Sequence, residues 1–282
     1  MIPFLSTKNL LMLAVSIFML TSCEKDVTNI KLPSSEPKLV VGCFISPQDS
    51  SIIVTLTRSA PVFGPGQSNS NGFPVEDASV VISNGSVSST IPFSTVNYQY
   101  ELQANLFPIV AGQTYYLTVT TPKGESVSAN CTVPVSNLSS LMVEFTDTLS
   151  EVKRITVKWQ DKTNEANYYK AFAQMVLIDT VSLDTLYDYM FGNTTLFNDN
   201  GKDGSDFYSK LEGYTFFGGS YKAITGYDIY VLNVDMHYYN YQKSLDNYTY
   251  DDPFSEPSPI YTNIKGGLGI FAGVQKLYVR VP

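Results

Sequence analysis

The sequence has one histidine, three cysteines and one tryptophan in 282 residues, and only 16% of it is charged. A single histidine leaves Ser–His and Cys–His pairs no choice of base, and His237 stands inside a predicted helix. Neither a Gly-x-Ser-x-Gly elbow nor a Walker or Rossmann glycine loop is present. A His/Cys metal centre lacks ligands by count. Basic residues are also scarce, 18 against 26 acidic for a net charge of −8, which argues against binding a phosphate backbone. Paired carboxylates of the glycosidase kind remain open, but nothing singles out a pair. Long apolar runs are lacking beyond residue 23, so no later segment is predicted to cross a bilayer as a helix.

The one apolar run that exists covers residues 10–20, after Lys8, and leads through Thr21 and Ser22 into Cys23. It has the length of a signal-peptide core and is too short for a permanent span. A small residue directly before cysteine matches the bacterial lipobox, in which the thiol is diacylated, the chain is cut before the cysteine and the new amino group is acylated. Residues 1–22 are therefore expected to be a lipoprotein signal peptide, with Cys23 carrying palmitate-type acyl chains. Three chains exceed the single-chain limit of marginal anchoring. Residues 23–36 are polar, with Pro33, and read as a tether; Glu24, Lys25 and Asp26 resemble a short export signal to the outer face of the outer membrane.

From residue 37 to 136 short alternating runs are separated by Gly, Pro, Asn and Ser. Strands are predicted near 39–45, 51–58, 78–83, 86–91, 98–103, 114–120 and 126–133, with a two-residue hairpin at Asn84-Gly85. Seven short strands without helical periodicity imply an immunoglobulin-like or transthyretin-like β-sandwich. Cys43 and Cys131 share parity with the apolar positions of their strands, so both point to a core. A disulfide between them and two separate buried thiols are both open. Residues 63–73 read as a long loop with an aromatic at each end.

Residues 137–282 are expected to form a second β-rich domain, fibronectin-like in rhythm, giving an all-β fold class. Ile155, Val157 and Trp159 form a buried face of one strand there. Sixteen of the twenty tyrosines lie in this half, which makes it the place to look for a ligand face. One short helix is predicted near 236–248, capped by Asp235, with Tyr238, Tyr241, Leu245 and Tyr248 as its core stripe. The stretch 198–206 alternates oxygen ligands with glycine. As a calcium loop started at Asp199 it offers Asp199, Asn200, Asp203 and Asp206, but its twelfth place is Lys210 instead of a glutamate. A polar β-turn accounts for the same composition without a cofactor.

Near the C-terminus stand Asp252-Pro253-Phe254, Pro259-Ile260-Tyr261-Thr262-Asn263-Ile264 and Lys265-Gly266-Gly267-Leu268-Gly269-Ile270-Phe271-Ala272-Gly273. This resembles the closing motif of a Bacteroidota lipoprotein family catalogued as domain of unknown function 4249. Lys38 to Gly42, Leu56-Thr57-Arg58, Tyr115 to Val119, Trp159-Gln160-Asp161 and Tyr238 to Ser244 fit the same family. The resemblance implies a cell-envelope lipoprotein often found beside TonB-dependent transporters, with no established activity and no catalytic residues to carry over. Residues 263–273 are expected to be a glycine turn packed against the sandwich, with Tyr261, Asn263, Gly266, Gly267 and Phe271 as a candidate binding loop. The sequence thus points to a non-enzymatic outer-membrane lipoprotein, an accessory or ligand-binding component of a TonB-dependent uptake system. A free-standing adhesin or glycan-binding module is the alternative, and a carboxylate hydrolase the third reading.

Overall fold

The computed structural model describes residues 36–60, 74–135, 138, 141–146, 152–192, 195–214, 222–248 and 259–282. The signal segment, Cys23, the tether up to residue 35, the loop at 63–73 and residues 252–258 of the C-terminal motif lie outside the described residues. Within them the chain forms sixteen strands and one helix, an all-β fold.

The first half contributes β1 (Leu39–Ile45), β2 (Ser51–Arg58), β3 (Ser79–Ser83), β4 (Ser88–Thr90), β5 (Phe93–Ser94), β6 (Gln99–Gln103), β7 (Thr114–Thr120) and β8 (Ser126–Thr132). Strict period-2 alternation produces them. In β7, Tyr115, Leu117 and Val119 are buried while Tyr116, Thr118 and Thr120 face out. The order β5-β6-β2-β1 makes one sheet and β4-β3-β7-β8 the other, packed as a sandwich over one core. The hairpin tip lies one residue later than expected, at Gly85-Ser86. Asn84 N donates to Val87 O at 3.1 Å, while Asn84 Oδ1 accepts from both Ser86 N and Val87 N, next to the Ser83–Ser88 pair.

Cys43 and Cys131 both lie in this core, as parity requires, and both are free thiols. Burial pushes both thiols well above their ordinary value. Neither should react with iodoacetamide in the native protein, and both should react in urea; peptide mass mapping checks this. Rapid native alkylation of either would contradict the burial.

The second half contributes β9 (Met142–Thr146), β10 (Val152–Gln160), β11 (Tyr168–Asp179), β12 (Thr185–Gly192), β13 (Leu196–Asn198), β14 (Asp206–Tyr214) and β15 (Lys222–Val234). Helix α1 (Met236–Asp246) and β16 (Leu268–Val281) follow. β12 changes partner along its length, pairing β11 over 185–190 and β14 over 191–192. The sheet therefore turns back on itself. Ile155, Val157 and Trp159 pack with Tyr169, Ala171, Ile229 and Val231, so the lone tryptophan is the buried anchor its strand pattern suggests.

β16 joins the two halves. Residues 268–273 pair with β1 in parallel, and residues 274–281 pair with β15 in antiparallel. One twelve-stranded sheet consequently runs through both halves, across the boundary drawn at 136–137. Residues 268–273, expected to be part of a turn, are strand. The turn itself is limited to the residues just before Leu268.

Asp235 caps α1 as expected: Oδ1 accepts from Tyr238 N at 2.8 Å and Oδ2 accepts from Gly273 N at 2.9 Å. Burial raises this carboxyl to about 6 against the pull of those two N–H donors. The stripe expected on α1 is only partly a core face. Tyr238 is buried and Tyr241 half-buried, whereas Leu245 and Tyr248 are exposed. The helix lies on the outer face of the sheet and contacts it through its N-terminal turns.

Candidate functional site

Two places answer to the residues singled out above, and the fold adds a third. The first is the C-terminal glycine motif. Asn263 donates through Nδ2 to Phe271 O at 2.7 Å and to Asn130 O at 3.2 Å, and accepts from Phe271 N at 3.0 Å. Phe271 is fully buried, and Tyr261 Oη meets His237 Nδ1 at 2.7 Å. Gly269, at φ +107°, brings β16 so close that a Cβ would stand 1.9 Å from Val41 O. Gly266 and Gly267 pass the backbones of Ser126 and Leu39 in the same way. The proposed binding loop is thus a seam that closes the sandwich, with its polar groups turned inward to neighbouring backbone.

The second place is the loop at 198–206, between β13 and β14. Carboxylate oxygens of Asp161, Asp199 and Asp203 come within 4.8 Å of one another. Asp161, at the end of β10, is the member sequence spacing missed, because it is remote in the chain. Asp206 is outside this carboxylate cluster and lines a separate hollow beside Phe207 and Lys210, and the backbone N of Asn200 donates to Asn198 Oδ1 at 3.2 Å. Asp161 accepts from Tyr169 Oη at 2.5 Å and Gly204 N at 2.8 Å, Asp199 from Asn167 N at 2.8 Å, and Asp203 from Asn164 N at 3.0 Å. Burial and Asp161 together push the Tyr169 hydroxyl far up. These donors already serve the carboxylates, so the geometry is that of a clamped loop. Removing one of three neighbouring negative charges should stabilise it: Asp203→Asn is expected to raise the unfolding free energy by about 1 kcal/mol at low salt, seen as a higher urea midpoint, and by less at high salt. An unchanged or lower midpoint at low salt would contradict this.

The third place is a cleft on the outer face of the long sheet, at the junction of the halves. The alternation that buries Tyr169, Ala171 and Ala173 of β11 turns Lys170 and Phe172 outward. Phe172 stands opposite Tyr230 of β15, and Tyr230 opposite Tyr278 of β16. With Tyr189 of β12 these rings form a row across four strands. Their centroids are 6.3 Å apart for Tyr189–Phe172, 4.8 Å for Phe172–Tyr230 and 5.0 Å for Tyr230–Tyr278. The Phe172 and Tyr230 planes differ by 11°, so their faces cover each other and their edges point out. Phe44 of β1 and Tyr238 of α1 meet edge to face at 5.3 Å and close the other wall.

The cleft encloses about 430 Å³, the size of a small-molecule site. Phe44 is 41% exposed and Tyr189 55%, large apolar surfaces left to solvent in one place. Two lysines enter it. Lys276 is ion-paired with Asp49, whereas Lys170 donates to Gln242 Oε1 at 2.5 Å and lies 5.8 Å from the Tyr238 ring centroid. Burial lowers the Lys170 ammonium pKa, opposed by the field of Asp246. A second hollow of about 480 Å³ adjoins the first and shares Phe44, Asp49 and Lys276.

The chain belongs to the family described as Domain of unknown function (DUF4249), whose profile matches residues 25–278. No curated protein matches the chain.

Proposed function

We propose that this chain is a non-enzymatic, lipid-anchored binding protein of the outer membrane, exposed at the cell surface, that takes a ligand in the aromatic cleft as accessory to a TonB-dependent transporter. The observation that carries the binding reading is the cleft: Phe44, Phe172, Tyr189 and Tyr230 from four strands, with Tyr238 of α1, line a hollow of about 430 Å³. The address rests on the signal segment and Cys23. A tether of about fifteen residues would keep the folded part within roughly 50 Å of the bilayer, so a membrane-embedded partner is within reach. The non-enzymatic reading is supported by the placing of the one histidine, in the first turn of α1, whose Nδ1 is engaged with Tyr261 Oη.

A glycan-binding surface is the weaker fit. Sugar rings stack on open aromatic faces, and here Phe172 and Tyr230 cover each other's. The test is affinity purification of the tagged, lipidated chain from solubilised outer membranes. A TonB-dependent transporter identified by mass spectrometry is the expected co-purifying partner, and Cys23→Ser should lose both palmitate label and membrane association. Recovery of the acylated chain with no transporter would overturn the accessory role, and an unacylated wild type would overturn the anchor.

A further inference from the structure

The cleft holds one cation without an ion-pair partner among the described residues. Lys276 has Asp49, whereas Lys170 donates to the amide oxygen of Gln242 and lies over the ring of Tyr238. Among the described residues no carboxylate forms an ion pair with it, and Asp246 acts only at longer range. In a chain with 26 acidic residues against 18 basic, a half-buried ammonium without a carboxylate is a position reserved for an incoming negative charge.

The walls add a second requirement. Aromatic rings carry a positive edge and a negative face, and stacking on each other between Tyr189 and Tyr278 leaves Phe172 and Tyr230 chiefly their edges to offer the hollow that they line. Such edges favour the face of another aromatic ring over a sugar or a second edge. Both faces of the pair are already flanked, by Tyr189 on one side and Tyr278 on the other. A flat guest would therefore lie across the row, not between its members.

We infer that the cleft binds a small organic anion with an aromatic body, its carboxylate on Lys170 and its ring face over the edges of Phe172 and Tyr230. This rests on the reading of the cleft as the ligand site and names the class of ligand it takes. Gln242, already bonded to Lys170, holds the ammonium toward the hollow; Tyr238 covers it from the helix side. The neutral analogue of such a ligand keeps the ring contacts and loses the attraction between the ammonium and a negative charge.

Isothermal titration of the full chain in lipid nanodiscs, with empty nanodiscs as blank, tests this with 2-naphthoate and its neutral amide. The wild type is expected to bind the carboxylate at least tenfold tighter than the amide. Lys170→Met, which keeps the apolar stem, should abolish that preference by weakening carboxylate binding at least tenfold, while Lys170→Arg should keep it; thermal melting confirms that each variant folds. Equal wild-type affinities for carboxylate and amide would overturn the anion assignment, and that comparison needs no variant. It would leave the cleft standing as an apolar ligand site. If neither probe binds the wild type, the aromatic class falls as well. The accessory role is then still decided separately, by co-purification with the transporter.

Discussion

Gly269→Ala is expected to destabilise the protein by about 4 kcal/mol, combining backbone strain with a backbone clash. At φ +107° a side chain is strained whatever the space, and a Cβ there would stand 1.9 Å from Val41 O. Neither partner can yield cheaply, because both are main chain within the β1–β16 ladder. Gly124→Ala is the control. It has φ +85° and nothing within 4 Å, so it carries strain alone, about 1 kcal/mol. Urea unfolding of the two variants separates the effects. Equal losses would mean that the close approach of β16 to β1 is not what holds the seam. The cleft should feel the change too, since Phe44 on β1 faces Lys276 and Val274 on β16 across it.

Asp161→Ala is expected to cost about 4 kcal/mol, the loss of a buried, hydrogen-bonded charge that leaves its donors unpaired. Asp161 is 5% exposed and accepts from Tyr169 Oη at 2.5 Å and Gly204 N at 2.8 Å. Tyr169 is fully buried beside Trp159, so its hydroxyl has no water to turn to. Tyr169→Phe alone should cost about 2 kcal/mol, the worth of one charged hydrogen bond. Added to Asp161→Ala it should cost nothing or restore stability, because the hydroxyl it removes has then lost its acceptor. If Tyr169→Phe costs the same in both backgrounds, the two groups are not coupled and the clamp is misread.

Much of this fold is legible in residue alternation. β1, β2 and β7 fall where period-2 patterning puts them, and Asp235 announces the helix. Two things are not legible. The first is that β16 serves both halves. Parallel pairing with β1 spans more than two hundred residues of chain, and alternation says nothing about which strands are neighbours. The glycines at 266, 267 and 269 signal a close approach in the sequence; what they approach is visible only in the structure. The second is the cleft. Lys170 and Phe172 read as the outward half of an ordinary strand, and the row they join depends on registers between β11, β15 and β16. The tyrosine excess after residue 137 was the one signal of it. The acidic loop shows the same limit, since Asp161 meets Asp199 and Asp203 through the β10–β14 and β11–β13 pairings and not through local spacing.

The central claim is that the functional face is built across the junction, from residues of both halves. Native mass spectrometry of the lipidated chain, extracted from its own envelope, tests it on three variants. Phe44→Ser removes a wall contributed by the first half, and Tyr189→Ala one contributed by the second. Tyr208→Ala removes an equally exposed tyrosine from the separate hollow on β14. A small-molecule adduct is expected on the wild type and on Tyr208→Ala, and should be absent from Phe44→Ser and from Tyr189→Ala. The same adduct pattern on all four proteins, or an adduct lost only with Tyr208, would contradict the account.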